Sequence, residues 1–194
     1  MLSAKRWPAH AHTVVVLGKR GVGKSSTLNQ LFGFDRPTDA AVECTTAPYA
    51  RRIHPESGGR YRIVDMPGIA ANADSLVHYG RHYRRWLGKA DTVVWITQAN
   101  VRAFKQDQLF LQDYSAFVRP TTRLVLAISK ADTQIEGLAE ASVQQEDLLR
   151  RKAEDIVEQI VPYTWARREA VVVVPYSIVE DWNTELLRSA VLAI

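Results

Sequence analysis

The sequence predicts an α/β fold, a doubly wound and mostly parallel six-stranded sheet with helices on both faces. Short runs of β-branched residues alternate with longer amphipathic stretches, which is typical of this class. Several runs are apolar on both faces, for example residues 14–16 and 171–174, as strands buried within a parallel sheet are. The turn at residues 55–59 (PESGG) is short enough for a hairpin, so one antiparallel strand is expected.

Each predicted element follows from this alternation of strand and helix patterns. Strands are predicted at residues 13–17, 49–54, 60–65, 91–97, 123–129 and 171–175. Helices are predicted at residues 24–31, 75–89, 105–117, 140–161 and 183–193. Residues 34–46 and 133–139 are irregular, and we expect both stretches to be flexible.

The composition is that of an ordinary globular protein, with 194 residues, 46% hydrophobic and 24% charged. Neither a repeat nor a long linker divides the chain, so we expect one domain over residues 1–194, with residues 1–12 as an N-terminal extension. The aliphatic runs fall far short of the ~20 residues that a membrane span needs, and the N-terminus lacks the apolar core of a signal peptide. Together with the single cysteine, Cys44, this indicates a cytoplasmic protein. The net charge of +4 identifies no partner.

The strongest motif is residues 18–25 (GKRGVGKS), which match the P-loop pattern G-x-x-x-x-G-K-[ST] between the first strand and the first helix. Its glycines let consecutive N–H groups point inward at phosphate oxygens, beside the positive end of the helix dipole. Lys24 is expected to contact the β- and γ-phosphates, and the Ser25 hydroxyl to bind Mg²⁺. The residues predicted to contact the phosphates are Gly18, Arg20, Gly21, Val22, Gly23, Lys24, Ser25 and Ser26.

A second motif, residues 65–68 (DMPG), ends the third predicted strand. A carboxylate at the carboxyl end of a sheet strand lies where α/β sheets bind ligands. Asp65 is therefore a candidate to hold Mg²⁺ through water, and the Gly68 N–H to approach a γ-phosphate. The alternative is a simple turn, since Asp and Pro-Gly both favour turns.

A third motif, residues 129–132 (SKAD), follows the fifth predicted strand. The Asp132 carboxylate is able to accept hydrogen bonds from guanine N1–H and from its 2-amino group, which adenine lacks. The aliphatic part of Lys130 is expected to lie along the purine face. Ser129 begins the same loop and is included in the predicted site.

In this order, the three motifs together with Thr45-Thr46 and residues 175–177 (PYS) resemble a small GTPase of the Ras-like superfamily. The D-x-P-G form and the T-x-x-P from Thr45 to Pro48 resemble its Era-like branch, most nearly the YfjP-type bacterial members. The resemblance extends from Thr13 to the end of the chain. It implies a three-layer P-loop NTPase fold, the Ras-like G domain, with GTP and GDP as ligands and Mg²⁺ as cofactor.

The resemblance also implies roles for further residues. Thr45 would ligate Mg²⁺ and sense the γ-phosphate in the first switch, with Thr46 as the alternative. Residues 34–46 and 68–79 would be the two switches, ordered by GTP and released on hydrolysis. The backbone N–H of Ser177 or Ile178 would contact guanine O6. The residues implied in catalysis are Lys24, Thr45 and Gly68, and those implied at the metal are Ser25, Thr45 and Asp65.

Three positions depart from the family pattern. Ser129 replaces the usual Asn or Thr that ties this loop to the P-loop, so weaker nucleotide affinity is expected. Ile69 stands where Ras-like domains use a glutamine to orient the attacking water, so slow turnover is expected. Arg20 is either an arginine finger, in cis or across a dimer, or a side chain that points to solvent or pairs with a switch carboxylate.

The first hypothesis is a Mg²⁺-dependent GTPase that hydrolyses GTP slowly and works as a molecular switch. The alternatives are a GTP-gated adaptor or assembly module with negligible hydrolysis and, against the indication of Asp132, an ATPase. A nucleotide-dependent homodimer or an effector protein are the candidate partners. The basic residues Arg81, Arg84 and Arg85 are expected on the solvated face of an amphipathic helix, so neither nucleic acid nor a membrane surface is predicted.

Overall fold

The computed structural model describes residues 11–37, 47–69 and 73–193, and of residues 73–78 only the helical backbone. Its strands are β1 (His12–Leu17), β2 (Tyr49–Ile53), β3 (Tyr61–Asp65), β4 (Thr92–Gln98), β5 (Arg123–Ser129) and β6 (Val172–Pro175). Its helices are α1 (Lys24–Phe32), α2 (Ala73–Leu87), α3 (Lys105–Tyr114), α4 (Val143–Ile160) and α5 (Thr184–Leu192).

The strands form one sheet in the order β2-β3-β1-β4-β5-β6, which confirms the predicted α/β fold. Only β2 runs antiparallel, paired with β3 through the hairpin, and the other pairings are parallel. Because strands β1, β3, β4, β5 and β6 run in one direction, the loops that follow them meet at one edge of the sheet.

Two apolar clusters cover the sheet, one on each face. Leu28 of α1 and Leu187 of α5 pack on one face, and Tyr83 of α2 and Ile156 of α4 pack on the other. The central strands are buried on both sides, as their continuous apolar runs predict, and Trp95 of β4 is 0% exposed. The prediction that residues 171–174 are equally buried is wrong, because β6 lies at the edge of the sheet and Val172 is 37% exposed. Helices, sheet and helices therefore form the three predicted layers.

The element boundaries differ slightly from those predicted. The first strand begins at His12, inside the predicted N-terminal extension, because the His12 N–H donates to the carbonyl of Arg60 (2.8 Å). Helix α4 begins at Val143 rather than at residue 140. Ser142 is its N-cap and forms a reciprocal capping box with Gln145, a local signal that the apolar periodicity alone does not show.

The prediction that residues 133–139 are flexible is wrong. Ile135 and Leu138 are buried in a small cluster with Leu149 of α4. The Glu180 carboxylate accepts hydrogen bonds from the N–H groups of Gly137 (3.2 Å) and Leu138 (2.6 Å). Two of its own apolar residues and a carboxylate from a distant loop hold this stretch, and the partners in these contacts lie outside its local sequence.

Helix α2 has the two faces that its sequence predicts. Tyr83 and Leu87 are buried in the core, whereas Arg81, Arg84 and Arg85 are exposed. The basic residues thus lie on the solvated face of an amphipathic helix. No helix in the described part of the chain has the length and apolarity to span a membrane.

Asp91 connects three elements at the amino-terminal end of the sheet. Its carboxylate accepts hydrogen bonds from the Thr13 N–H (2.8 Å) and from the Arg119 guanidinium (2.7 Å). Partial burial raises the pKa of the Asp91 carboxyl, but these two donors and the nearby His12 outweigh it and hold the pKa below its ordinary value.

A carboxyl group with a lowered pKa stabilises the fold above its unfolded-state pKa, near 3.8, and loses that effect as the pH falls through the folded-state value. We expect Asp91→Asn to lower the free energy of unfolding by about 1 kcal/mol at neutral pH. The difference from wild type should shrink below pH ~4, as urea titrations at several pH values would show. Asp155→Asn, which changes an exposed carboxylate on α4, is the control. A constant difference at all pH values would contradict the assignment.

Candidate functional site

The loop between β1 and α1 has the backbone geometry that its glycines permit. Gly18, Gly21 and Gly23 have φ values of 146°, 80° and 95°, which side-chain-bearing residues rarely adopt. A Cβ atom on Gly18 would also collide with the carbonyl oxygen of Ile96. The loop therefore curls tightly over the end of β1 and leads into the N-terminus of α1 at Lys24, as the P-loop pattern predicts.

Lys24 is 7% exposed, and its ammonium lies inside this loop. Its Nζ donates to the carbonyl oxygens of Gly18 (3.0 Å) and Lys19 (2.8 Å). These contacts place a positive charge beside the N-terminus of α1, where the helix dipole also favours anions. The arrangement is suited to the phosphates of a nucleotide.

Ser25 and Asp65 bring two oxygen ligands together beside the loop. The Ser25 hydroxyl donates to Asp65 Oδ2 (3.3 Å), and Asp65 is 0% exposed at the end of β3. One carboxylate and one hydroxyl are hard oxygen donors of the kind that bind Mg²⁺ together with nucleotide phosphates. Among the described residues there is no cluster of three or more His, Cys, Asp or Glu side chains. The Ser25 and Asp65 donors fit Mg²⁺ bound together with nucleotide phosphates.

The loop after β3 lies directly against the P-loop. The Ile69 N–H donates to the Gly18 carbonyl (3.2 Å). A Cβ atom on Gly68 would approach Arg20 Cα to 3.0 Å and Lys24 Nζ to 3.2 Å, so the two loops come into close contact at this glycine. Ile69 itself is 3% exposed and belongs to the core, so its side chain is not available to orient a water.

Ser129 corrects one expectation from the sequence. Its hydroxyl lies within hydrogen-bond distance of the carbonyl oxygens of Val22 (2.8 Å) and Thr97 (3.0 Å). The serine therefore ties the SKAD loop to the P-loop directly. The expected loss of this connection was wrong, because a short side chain reaches the P-loop from the end of β5. The weaker nucleotide affinity inferred from that loss stays a prediction.

Two further side chains hold the same segment of the P-loop. Gln98 Nε2 (2.8 Å) and Lys130 Nζ (3.2 Å) both donate to the Gly21 carbonyl. Lys130 was predicted along a purine face, and Gln98 was not predicted at all. The available signal for Gln98 was its position, since it is the polar residue that ends the apolar strand β4.

Asp132 is oriented by Ser177. The Ser177 hydroxyl donates to Asp132 Oδ1 (2.5 Å), and the Ser177 N–H donates to the Trp182 carbonyl (3.0 Å). Because that N–H is already used, Ile178 becomes the better candidate for the N–H that contacts guanine O6. Ser177 therefore adjoins the predicted base-binding residues through its hydroxyl, which contacts Asp132, and not through its N–H.

An ion pair between partly buried Lys19 and fully buried Asp107 anchors the P-loop to helix α3. Lys19 Nζ lies 2.7 Å from Asp107 Oδ2 and donates to the Ala103 carbonyl (2.8 Å). Burial raises the pKa of the Asp107 carboxyl, which is only partly offset by the Lys19 ammonium. The pair was not predicted from the sequence, because Asp107 belongs to no motif.

The remaining predicted site residues are distributed as follows. Val22 is buried, Ser26 is half-buried on α1, and Arg20 is exposed at the mouth of the P-loop. Thr45 and Thr46 lie outside the described residues, as do residues 38–44 of the first predicted switch and 70–72 of the second. Arg36 lies in the described part of the first predicted switch. The side-chain amide of Asn29 on α1 accepts a hydrogen bond from the Arg36 N–H (2.8 Å) and donates one to the Arg36 carbonyl (2.8 Å).

The profile of the family described as "50S ribosome-binding GTPase" matches residues 13–130, more than half of the chain. The chain therefore belongs to this family of P-loop GTPases. The sequence is 31% identical to YkfA of Escherichia coli K12 over 140 residues, which are 71% of this chain and 48% of YkfA. It is 28% identical to YfjP of the same organism over 140 residues, 70% of this chain and 48% of YfjP. These matches confirm the Era-like, YfjP-type resemblance.

The chain spans about half the length of these two relatives. Among solved structures, Arabidopsis thaliana Toc33 in complex with GDP and Mg²⁺ superposes with a TM-score of 0.67, covering 93% of this chain and 83% of Toc33. At 20% identity, this similarity supports the fold alone. It confirms the predicted P-loop NTPase architecture.

The contact between Ser129 and Val22 predicts an effect on nucleotide binding. We expect Ser129→Ala to weaken GDP affinity about tenfold, because one buried hydrogen bond contributes about 1 to 1.5 kcal/mol to holding the two loops together. Displacement of a fluorescent GDP analogue would measure the change. Ser115→Ala is the matched control, since it removes a hydroxyl that donates to Tyr163 away from the site. Equal affinities for wild type and Ser129→Ala would contradict this role.

Proposed function

We propose that this chain binds GTP and GDP with Mg²⁺, hydrolyses GTP slowly and works as a nucleotide-controlled switch. The observation that carries the proposal is the Ser25 hydroxyl placed against the buried Asp65 carboxylate, next to the Lys24 ammonium. A cation, a helix N-terminus and a pair of magnesium ligands lie close together, and these groups bind the phosphates and the Mg²⁺ of a nucleoside triphosphate. Membership in a family of GTPases gives independent support.

In this proposal the chain acts by positioning phosphates and by balancing their charge, without a covalent intermediate. The P-loop N–H groups and Lys24 bind the β- and γ-phosphates, and the Gly68 N–H contacts the γ-phosphate. Ser25 and Asp65 would hold Mg²⁺, and Thr45 would join them when GTP is present. When bound, Mg²⁺ supplies charge neutralisation at the phosphates. The Toc33 complex contains GDP and Mg²⁺, which supports the same cofactor here.

Slow hydrolysis is inferred from Ile69. The residue after Gly68 is buried in the core, so no side chain at that position orients the attacking water. The same observation favours a second candidate function, a GTP-gated adaptor or assembly module with negligible hydrolysis. We infer that Arg20, which is exposed at the mouth of the P-loop, would act across a homodimer and thereby restore catalysis.

Guanine specificity is inferred from Asp132, whose Oδ1 accepts the Ser177 hydroxyl while the carboxylate remains partly exposed at the end of β5. An ATPase is the less favoured alternative, because adenine lacks the 2-amino group that this carboxylate would bind. The proposed compartment is the cytoplasm, where the single cysteine would remain reduced and GTP is supplied.

Asp132→Asn tests the base preference. We expect GTP affinity to fall at least about 50-fold and xanthosine triphosphate affinity to rise, since an amide donates to the C2 carbonyl that replaces the amino group. Competition of each nucleotide against fluorescent GDP would measure both. Asp113→Asn, at an exposed position of α3, should change neither. ATP that competes as well as GTP against the wild type would contradict guanine specificity.

The activity itself is tested by single-turnover GTP hydrolysis at increasing protein concentration. We expect slow GDP formation that requires Mg²⁺, with a rate per molecule that increases with concentration if two chains associate. Lys24→Ala should abolish nucleotide binding, and Lys105→Ala, at an exposed position of α3, should not. GTP binding without any turnover at all concentrations would favour the adaptor. Wild-type GTP affinity in Lys24→Ala would exclude both.

A further inference from the structure

A second cavity lies at the edge of the sheet opposite the P-loop. It has a volume of about 550 Å³ and opens between the amino-terminal ends of β1 and β3 and the loop that precedes β4. The P-loop follows the carboxyl end of β1, so the length of the strand separates the two sites. The cationic residues that line this cavity are Arg52, Arg60, Arg62, Lys89 and Arg119.

Strand pairing forces two of these arginines together. Arg52 of β2 stands directly opposite Arg62 of β3, and Arg62 stands next to Thr13 of β1 in the parallel pairing. Arg60, immediately before β3, lines the same cavity. Like charges directly opposite each other in a sheet are destabilising. The chain thus maintains a row of positive charge at a cost in stability.

The carboxylate in the cavity does not compensate this charge. Asp91 is already engaged by the Thr13 N–H (2.8 Å) and by Arg119 (2.7 Å). Within the described part of the chain, Arg52, Arg60, Arg62 and Lys89 have no ion-pair partner. The cavity is therefore strongly cationic, with the arginine side chains as its donors.

We propose that this cavity binds a small ligand that carries two or more phosphate groups, at a site separate from the nucleotide. Arginine binds phosphate through two parallel N–H···O bonds, and three arginines with a lysine provide for more than one phosphate group. The volume is in the range of small-molecule sites. A concave wall with a large excess of positive charge also concentrates its field, so a compact polyanion is favoured over an extended chain that follows an open groove.

The probe is inorganic tripolyphosphate, titrated calorimetrically into the full chain with GDP in saturating excess and free Mg²⁺ matched between both solutions. GDP occupies the P-loop, so the heat that remains reports the second cavity. We expect one site per chain, weakened by added NaCl, and orthophosphate to bind at least about tenfold more weakly because it contacts fewer cations.

The test variant is the double substitution Arg52→Gln and Arg62→Gln. We expect it to lose at least about tenfold in tripolyphosphate affinity. Its melting temperature without phosphate should equal or exceed that of the wild type, since it relieves the repulsion of two like charges. The matched control is Arg150→Gln with Arg151→Gln, which removes the same charge from the exposed face of α4 and should leave affinity within twofold.

Each remaining outcome is decisive. Absence of tripolyphosphate binding, or an equal loss in both double variants, would overturn the proposal. A single-stranded oligoribonucleotide that binds at this row while tripolyphosphate does not would also overturn it, in favour of a nucleic-acid surface. GDP affinity is measured on the same samples and should be unchanged in both variants, so failure of the nucleotide site would be recognised separately.

Discussion

The proposed site depends on the hydrogen bonds that hold two carbonyl oxygens of the P-loop. The Gly21 carbonyl accepts hydrogen bonds from Gln98 and Lys130, and the Val22 carbonyl is within reach of Ser129. Residues at the ends of β4 and β5 thus hold these two carbonyls, and with them they fix the orientation of the peptide groups of the loop. This fixes the loop before any phosphate binds, which lowers the cost of ordering it on binding.

The same edge of the sheet also fixes the loop from its other side. Ile69 donates to the Gly18 carbonyl from the loop after β3, and Lys19 forms an ion pair with buried Asp107 of α3. Breaking a buried pair by removing one partner is strongly destabilising, so this contact holds P-loop and α3 together.

Much of the fold was accessible from the sequence because it depends on local patterns. The apolar runs of β1, β4 and β5 predicted buried parallel strands, and the five-residue turn predicted the antiparallel pair. The predicted flexibility of residues 133–139 was wrong, because Ile135 and Leu138 find partners that lie far away in sequence. The two threonines at 45 and 46 lie outside the described residues, so the choice between them stays a prediction.

The sequence alone determined the P-loop, the Asp65 and Asp132 motifs and their order, since each is a contiguous segment whose chemistry depends on its own backbone and side chains. Tertiary structure decided which residues support them. That Ser129 reaches Val22, that Ser177 contributes its hydroxyl, and that Arg52 faces Arg62 follow from strand order and register. Such pairings bring together residues distant in sequence, and the physical reason is that only the assembled sheet sets the distances between them.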